Sequence, residues 1–452
     1  MLPQNLKYQP KVESAPARRY RTNIQPQTGT TFNHNETIII NIPTRNNTAL
    51  IPSESVLKFQ VTGTNFAANT FQAILDSGGA HGFINRLRVF HGSNLLQDIQ
   101  DYGQLAKILY DFQMPLDAVQ GRYSVTSGTT NDYTGSLAAF ADPVIVKPIN
   151  RGRNYATSAG ISGNVTLGGA GVGFSINLIS LVGALSGNKY LPLWEMTSAP
   201  LRVELVLAPN LTSAMLVQPA PAGDVFQLTN VEYIGEFLEL PDSAIGAIKA
   251  GSSSPLQMVL PDYRAYSYSQ QVPAGSTSVS MPIPAKFSSL KSLVIASRNS
   301  LPTATRFPYA SGPLGLTQYQ FRIGSEVLPS NPPTTVSEWF SEASKCFGSI
   351  ADLDYQPGID IDGYNAAPTA VGGGWTAGNT TQSGGFVVGI DLESYMSSDK
   401  SSIFAGMNTN TADIFYLPQI TFGGSGGNVF FTAYANYDTV LVCENGVAYT
   451  RF

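Results

Sequence analysis

Phe83-Ile84-Asn85-Arg86-Leu87-Arg88-Val89-Phe90 alternates apolar and polar residues and then runs into His91-Gly92-Ser93-Asn94, the pattern of a half-buried strand entering a hairpin turn. The same phrase returns in the second half as Tyr319-Gln320-Phe321-Arg322-Ile323-Gly324-Ser325-Glu326. Each copy carries an arginine in the strand, and each is followed by a segment of helical period. Asp101 to Tyr110 sets Tyr102, Leu105, Ala106 and Leu109 on one face, with Asp101 at the cap position. Thr335 to Ala343 sets Val336, Trp339, Phe340 and Ala343 on one face, and Thr335 with Glu338 spells a capping box. Strand, Gly-Ser turn and helix in the same order twice predict an internal repeat.

Outward from this phrase the match continues. Upstream lie Arg18-Arg19-Tyr20-Arg21 running to Gln27, and Tyr263-Arg264-Ala265-Tyr266 running to Pro273. Strands are then expected at Thr37 to Pro43 and Thr277 to Pro284, both closed by a proline, and at Val56 to Val61 and Leu290 to Ile295. Downstream of each helix comes a long polar loop, about residues 120 to 171 and 347 to 385, then a strand at Phe174 to Leu178 or Phe386 to Ile390. Two strands close each half: Leu201 to Leu207 with Val225 to Tyr233, and Ile414 to Ile420 with Val429 to Tyr434. About eight strands and one helix per half is the pattern of a jelly roll. The expected fold is therefore all-β: two tandem antiparallel jelly-roll β-sandwiches, each with a short helix and a long loop. Residues 1–30 read as an N-terminal arm, 31–245 as the first sandwich and 246–452 as the second, with a short helix at Ala244 to Ala250 in the linker.

A chain of 452 residues suits two cores better than one. Charged residues make up only 13%, while Gly (43), Tyr (21) and Phe (23) are plentiful, so the surface must be carried by uncharged polar groups. That composition suits faces that pack against copies of the same chain. A net charge of −5 excludes nucleic-acid binding by the surface as a whole, because phosphate neutralisation needs concentrated Lys and Arg. Two cysteines, Cys346 and Cys443, cannot build a disulfide framework and read as buried thiols. The N-terminus lacks the apolar core of a secretory signal, so synthesis in the cytosol is expected. Gly168 to Gly187 is uncharged but rich in glycine, and reads as strand plus loop rather than a membrane span.

Chemistry-bearing patterns fall short of their requirements. His34, His81 and His91 have no cysteine near them and no zinc-ligand spacing; His81 and His91 read as turn residues. Gly183 to Lys189 resembles a phosphate loop, but Lys189 does not adjoin a glycine and Tyr190 stands where Ser or Thr is needed. Gly423-Gly424-Ser425-Gly426-Gly427 spells a nucleophile elbow, yet a strand follows it where a helix is required, so it reads as a hairpin turn. Asp352, Asp354, Asp360 and Asp362 lack calcium-loop spacing, and Asp391 with Glu393 shows no sign of paired acid catalysis. No catalytic residue, metal site or cofactor is expected.

In element order across nearly the whole chain, the sequence resembles the double jelly-roll major capsid proteins of adenovirus-like, polinton-like, virophage and tailless internal-membrane phage capsids. The local pieces that carry the likeness are Asn188-Lys189-Tyr190-Leu191-Pro192-Leu193 leading to Leu201-Arg202-Val203-Glu204-Leu205, then Leu228-Thr229-Asn230-Val231-Glu232-Tyr233. The resemblance implies a structural virion protein, not an enzyme, whose homotrimers are pseudo-hexameric blocks tiling an icosahedral shell, with the long loops crowning the outside. It implies as partners the chain itself, penton and minor capsid proteins. The first segment is basic through Lys7, Lys11, Arg18, Arg19 and Arg21 against Glu13. It reads as a tail ordering against its own assembly, with an internal membrane or the genome as the alternative contact. The rival to the shell protein is a tandem β-sandwich spike, adhesin or glycan-binding protein.

Overall fold

The computed structural model describes residues 17–62, 72–128, 154–156, 165–166, 172–218, 225–251, 255–298, 307–348, 357–359, 361–365, 384–394, 405–422 and 427–452. In the first half the strands are β1 (Arg18–Ile24), β2 (Phe32–Asn33), β3 (Thr37–Ile42), β4 (Thr48–Leu50), β5 (Val56–Thr62) and β6 (Gln72–Leu75). The hairpin β7 (Ile84–His91) and β8 (Asn94–Gln100) leads into helix α1 (Tyr102–Gln113) and two short turns of helix, α2 (Leu116–Gln120) and α3 (Arg122–Thr126). Then follow β9 (Asn154–Ala156), β10 (Val165–Thr166), β11 (Val172–Ile176), β12 (Leu201–Leu207), β13 (Met215–Gln218) and β14 (Gln227–Glu239). Helix α4 (Asp242–Gly251) joins the halves, and the expected boundary at residue 245 falls inside it.

The second half opens with β15 (Leu256–Val272), then β16 (Gly275–Ser278), β17 (Met281–Ile283) and β18 (Leu290–Arg298). Its hairpin is β19 (Leu316–Ile323) with β20 (Glu326–Leu328), followed by α5 (Val336–Lys345) and the single turn α6 (Ile361–Tyr364). The chain ends with β21 (Val387–Asp391), β22 (Ile414–Phe422), β23 (Gly427–Glu444) and β24 (Val447–Arg451).

The two halves have one topology. In the first, one sheet runs β1-β14-β5-β11 and the facing sheet β3-β12-β7-β8; in the second they run β15-β23-β18-β21 and β16-β22-β19-β20. Each strand thus has a counterpart of the same rank and the same neighbours, and all these ladders are antiparallel. The strand alternation read from sequence points inward as expected: Ile38, Ile40 and Ile42 of β3 and Leu201, Val203, Leu205 and Leu207 of β12 are all buried. Both hairpins turn through two residues, with Gly92 at φ +59° and Gly324 at φ +60°, the glycine-first arrangement whose twist suits antiparallel strands.

Several expectations need correction. The stretch 18–24, expected in an N-terminal arm outside the first sandwich, is strand β1 of that sandwich, paired along its length with Glu239 to Tyr233 of β14. Thr277 to Pro284 is two strands rather than one. The break falls opposite Pro418 of β22, whose carbonyl accepts from Val279 N–H while its own nitrogen, lacking a proton, points to the same side. The closing strands are longer than their apolar runs: β14 reaches Glu239 and β23 reaches Glu444. A small additional sheet, β10-β9-β6-β13, gave no readable alternation. The glycine run 423–426, Asp352, Asp354 and Asp360 lie outside the described residues, as does most of both long loops. No helix among the described residues is long and apolar enough to cross a membrane, and Val172–Ile176 of the uncharged stretch is strand β11. Cys346 and Cys443 are unpaired.

The two helices following the hairpins differ in their caps. Thr335 is a true cap: its hydroxyl accepts from Glu338 N–H while the Glu338 carboxylate accepts from Thr335 N–H. Asp101 occupies the equivalent position at φ +47° without a side-chain cap bond, because that side chain is used elsewhere. Thr335→Ala is therefore expected to lower stability by about 1 kcal/mol in denaturant melts, through loss of the hydroxyl that accepts from Glu338 N–H in the first turn of α5.

Candidate functional site at the seam between the halves

Helix α1 was expected to bury one face; eleven of its twelve residues are buried. It lies between the two sandwiches, so the face that looks polar in sequence meets protein instead of water. On that face Lys107 is 2% exposed, with Nζ 2.9 Å from Asp76 Oδ1, 2.9 Å from Ser77 Oγ and 3.4 Å from Asp111 Oδ2. Burial alone would pull the lysine pKa down, but the two carboxylates raise it by more and hold it as an ammonium.

His81, expected in a turn, does lie in a short 3-10 turn, and its side chain is completely buried beside the same helix. Its Nδ1 lies 3.0 Å from the Tyr102 hydroxyl and its Nε2 3.2 Å from the Tyr110 hydroxyl. Burial drops its pKa to about 3, so the ring is neutral and serves as a bridge between two tyrosines.

From the C-terminal end of α1, Phe112 inserts among aromatic rings of the second half. It stacks on Phe347 at 5.1 Å and meets Phe340 at 5.8 Å and Tyr364 at 6.2 Å. At the other end Gly103 lets Tyr309 approach so closely that a Cβ would collide with its ring, and the Tyr309 hydroxyl donates to Gly82 carbonyl at 2.9 Å. Tyr434 O–H donates to the Asp101 carbonyl and Ser267 O–H to the Asp101 carboxylate, which explains why Asp101 leaves its helix uncapped.

A second polar junction sits beside the hairpin. Asp262 of β15, 3% exposed, accepts from Gln97 Nε2 of β8 at 2.5 Å, from Tyr437 O–H at 2.6 Å and from Tyr263 N–H at 2.8 Å. Burial outweighs these donors and raises its pKa to about 6. His91, also buried, accepts from Ala448 N–H on β24 and lies 3.1 Å from the Met196 carbonyl, so it clamps the last strand of the chain to the first half.

Of the five cations proposed for the arm, Lys7 and Lys11 lie outside the described residues. Arg18, Arg19 and Arg21 are exposed on β1, and Arg19 is already engaged, 3.0 Å from Glu236 and 2.9 Å from Glu54. Among the described residues no cluster of three or more His, Cys, Asp or Glu side chains is arranged to hold a metal ion.

No protein-family model matches the chain, and no curated protein matches it. Solved structures do. The mavirus major capsid protein matches at TM-score 0.59 and 11% identity over 100% of this chain and 93% of its own. The Faustovirus major capsid protein matches at TM-score 0.58 and 11% identity over 98% and 93%. VP54 of PBCV-1, fitted into a reconstruction of the virophage Sputnik, matches at TM-score 0.59 and 11% identity over 99% and 100%. The chain is a double jelly roll. At such identity the likeness is one of fold, and its strength is that it runs end to end, through both halves and the seam.

Sequence reading placed the strands and helices of this double jelly roll but missed the seam. Gln97, His91, Lys107 and Asp262 each look like surface residues in isolation; the available signal was polar residues in helical or strand positions that the repeat places next to one another.

Two consequences follow for the double jelly roll. Phe112→Ala should cost about 3–5 kcal/mol in equilibrium unfolding, and should release the second half's aromatic cluster as judged by near-ultraviolet circular dichroism. Asp262 has a folded pKa of about 6 against an ordinary 3.8, so the folded state binds the extra proton. Its contribution is fully present below about pH 4 and is lost as pH rises through about 6. The stability difference between wild type and Asp262→Asn, measured across that window, should therefore shift against the wild type on going from low to neutral pH, by on the order of 3 kcal/mol.

Proposed function

We propose that this chain is the major shell subunit of an icosahedral virus, acting as a structural virion protein and not as an enzyme. The observation that carries the proposal is the repeat of strand order in the two halves, together with end-to-end likeness to the Faustovirus and mavirus major capsid proteins. Two similar sandwiches in one chain allow three chains to present six comparable units, so a closed trimer fills a pseudo-sixfold position in a lattice. The sparse charge supports that packing, since flanks with few ionised groups approach without repulsion. The long loops, on this reading, crown the outer face.

Penton and minor capsid proteins are the further partners proposed. Lys7, Lys11, Arg18 and Arg21 are the proposed contact of the first segment with lipid headgroups or nucleic acid inside the shell. Arg19 is withdrawn from that set because its guanidinium is already held between two carboxylates.

Mass determination in solution tests the assembly. A particle of three times 48.3 kDa is expected, with sheets or cages in electron micrographs at higher concentration. A chain that stays monomeric at every concentration and forms no ordered array would remove the proposal.

A further inference from the structure

The buried charges around α1 carry an inference independent of the capsid reading. Lys107, Asp76 and Asp111 form a cluster of one ammonium and two carboxylates, each side chain at most 4% exposed. Lys107 Nζ lies 2.9 Å from Asp76 Oδ1, in hydrogen-bond contact with the carboxyl group whose carbon it would attack. The electrophile is held in place, because Asp76 Oδ1 also accepts from Ser77 N–H at 2.7 Å. A third group able to move protons, Asp111 Oδ2, stands 3.4 Å from the same nitrogen.

We propose that Lys107 and Asp76 condense to an intramolecular amide, with Asp111 as the proton relay. Asp111 takes a proton from the Lys107 ammonium and passes it to the Asp76 oxygen that will depart, so that a neutral carboxyl group meets the freed nitrogen lone pair, which attacks Asp76 Cγ. The C–N bond forms, and negative charge on the Asp76 oxygen is met by Ser77 N–H. A second proton leaves the nitrogen as the C–O bond to the departing oxygen breaks. The two protons given up by the ammonium leave with that oxygen as one water molecule, so the step needs no oxidant, activator or cofactor.

Burial is what favours this product. In water an ammonium and a carboxylate are well solvated and amide formation gains little, whereas in a dry interior both ions have lost their hydration. Condensation replaces the pair by a neutral amide and expels water, and Asp111, losing its ammonium partner, is left to the amide N–H. The product is also satisfied: its carbonyl keeps the Ser77 N–H and its N–H faces Asp111. The bond would fasten α1 to the segment before the hairpin across 31 positions of sequence, restricting the unfolded chain as a disulfide does but resisting reductants.

Intact mass of the purified, denatured full-length chain decides the matter. The expected value is the sequence mass less one water, with proteolysis yielding a branched peptide that joins the segments containing Asp76 and Lys107. Lys107→Arg and Asp111→Asn should both return to the full sequence mass; the second retains both joined residues, so it separates the relay from mere proximity. A wild-type chain at full sequence mass, or a lost water mapping to other residues, overturns the proposal. A lost water retained in Asp111→Asn overturns the part assigned to Asp111.

Discussion

A helix buried on every side must satisfy each of its polar groups from protein, and α1 is such a helix. Its charged face cannot be solvated, so Lys107 is tied to Asp76 and Asp111, and removal of the lysine would leave two buried carboxylates facing each other without a cation. Its apolar face cannot be shared loosely either, because Phe112 fits among three rings that belong to the other half. The position of the second sandwich relative to the first is thereby set by the same dozen residues that complete the first sandwich. Buried apolar residues of both halves accordingly form one continuous cluster rather than two separate cores.

Repetition of topology has not meant repetition of chemistry. In the first half Arg202 of β12 lies over Phe90 of β7 at 4.6 Å; in the second, Arg322 of β19 lies over Phe415 of β22 at 4.5 Å. The same cross-strand cation–π contact is kept with its partners exchanged between strands of equal rank, so what the fold requires there is the pair, not a residue at a fixed place. The helices diverge in the opposite sense. Helix α5 keeps an ordinary capping box and exposes part of its surface, whereas the equivalent aspartate of α1 reaches across to Ser267. A cap was exchanged for a contact between halves.

Most of the fold was legible because its signals are local: period-two alternation, a Gly-Ser pair and a helix start. What was not legible depends on long-range contact. Strand β23 continues through Asn436, Tyr437, Asp438 and Thr439, residues that look like a turn, because Ser289 O–H donates to Asp438 and Tyr437 O–H to Asp262. The strand could not be read to Glu444 without knowing that partners 149 and 175 positions away would satisfy it. Helix α1 misleads for a related reason. Gln104, Lys107 and Asp111 recur at helical spacing as a solvated face would, and only the long-range packing of the segment around Asp76 and Ser77 on Lys107 shows that this face is turned inward. Strand β1 was hidden by its arginines, which suit an exposed edge as well as they suit a tail.

The polar seam is a poor choice if stability is the only criterion, since apolar replacements of buried charged groups are often neutral or stabilising. Its value lies in discrimination. An apolar interface between two sandwiches of the same topology could slide or dock in alternative registers at little cost, because both present similar strands. A carboxylate of the second half that accepts from Gln97 of the first, and a histidine of the first half that accepts from one strand of the second, are satisfied in a single arrangement. Any other docking would take the Gln97 donor away from a buried carboxylate, at a cost of about 1–3 kcal/mol.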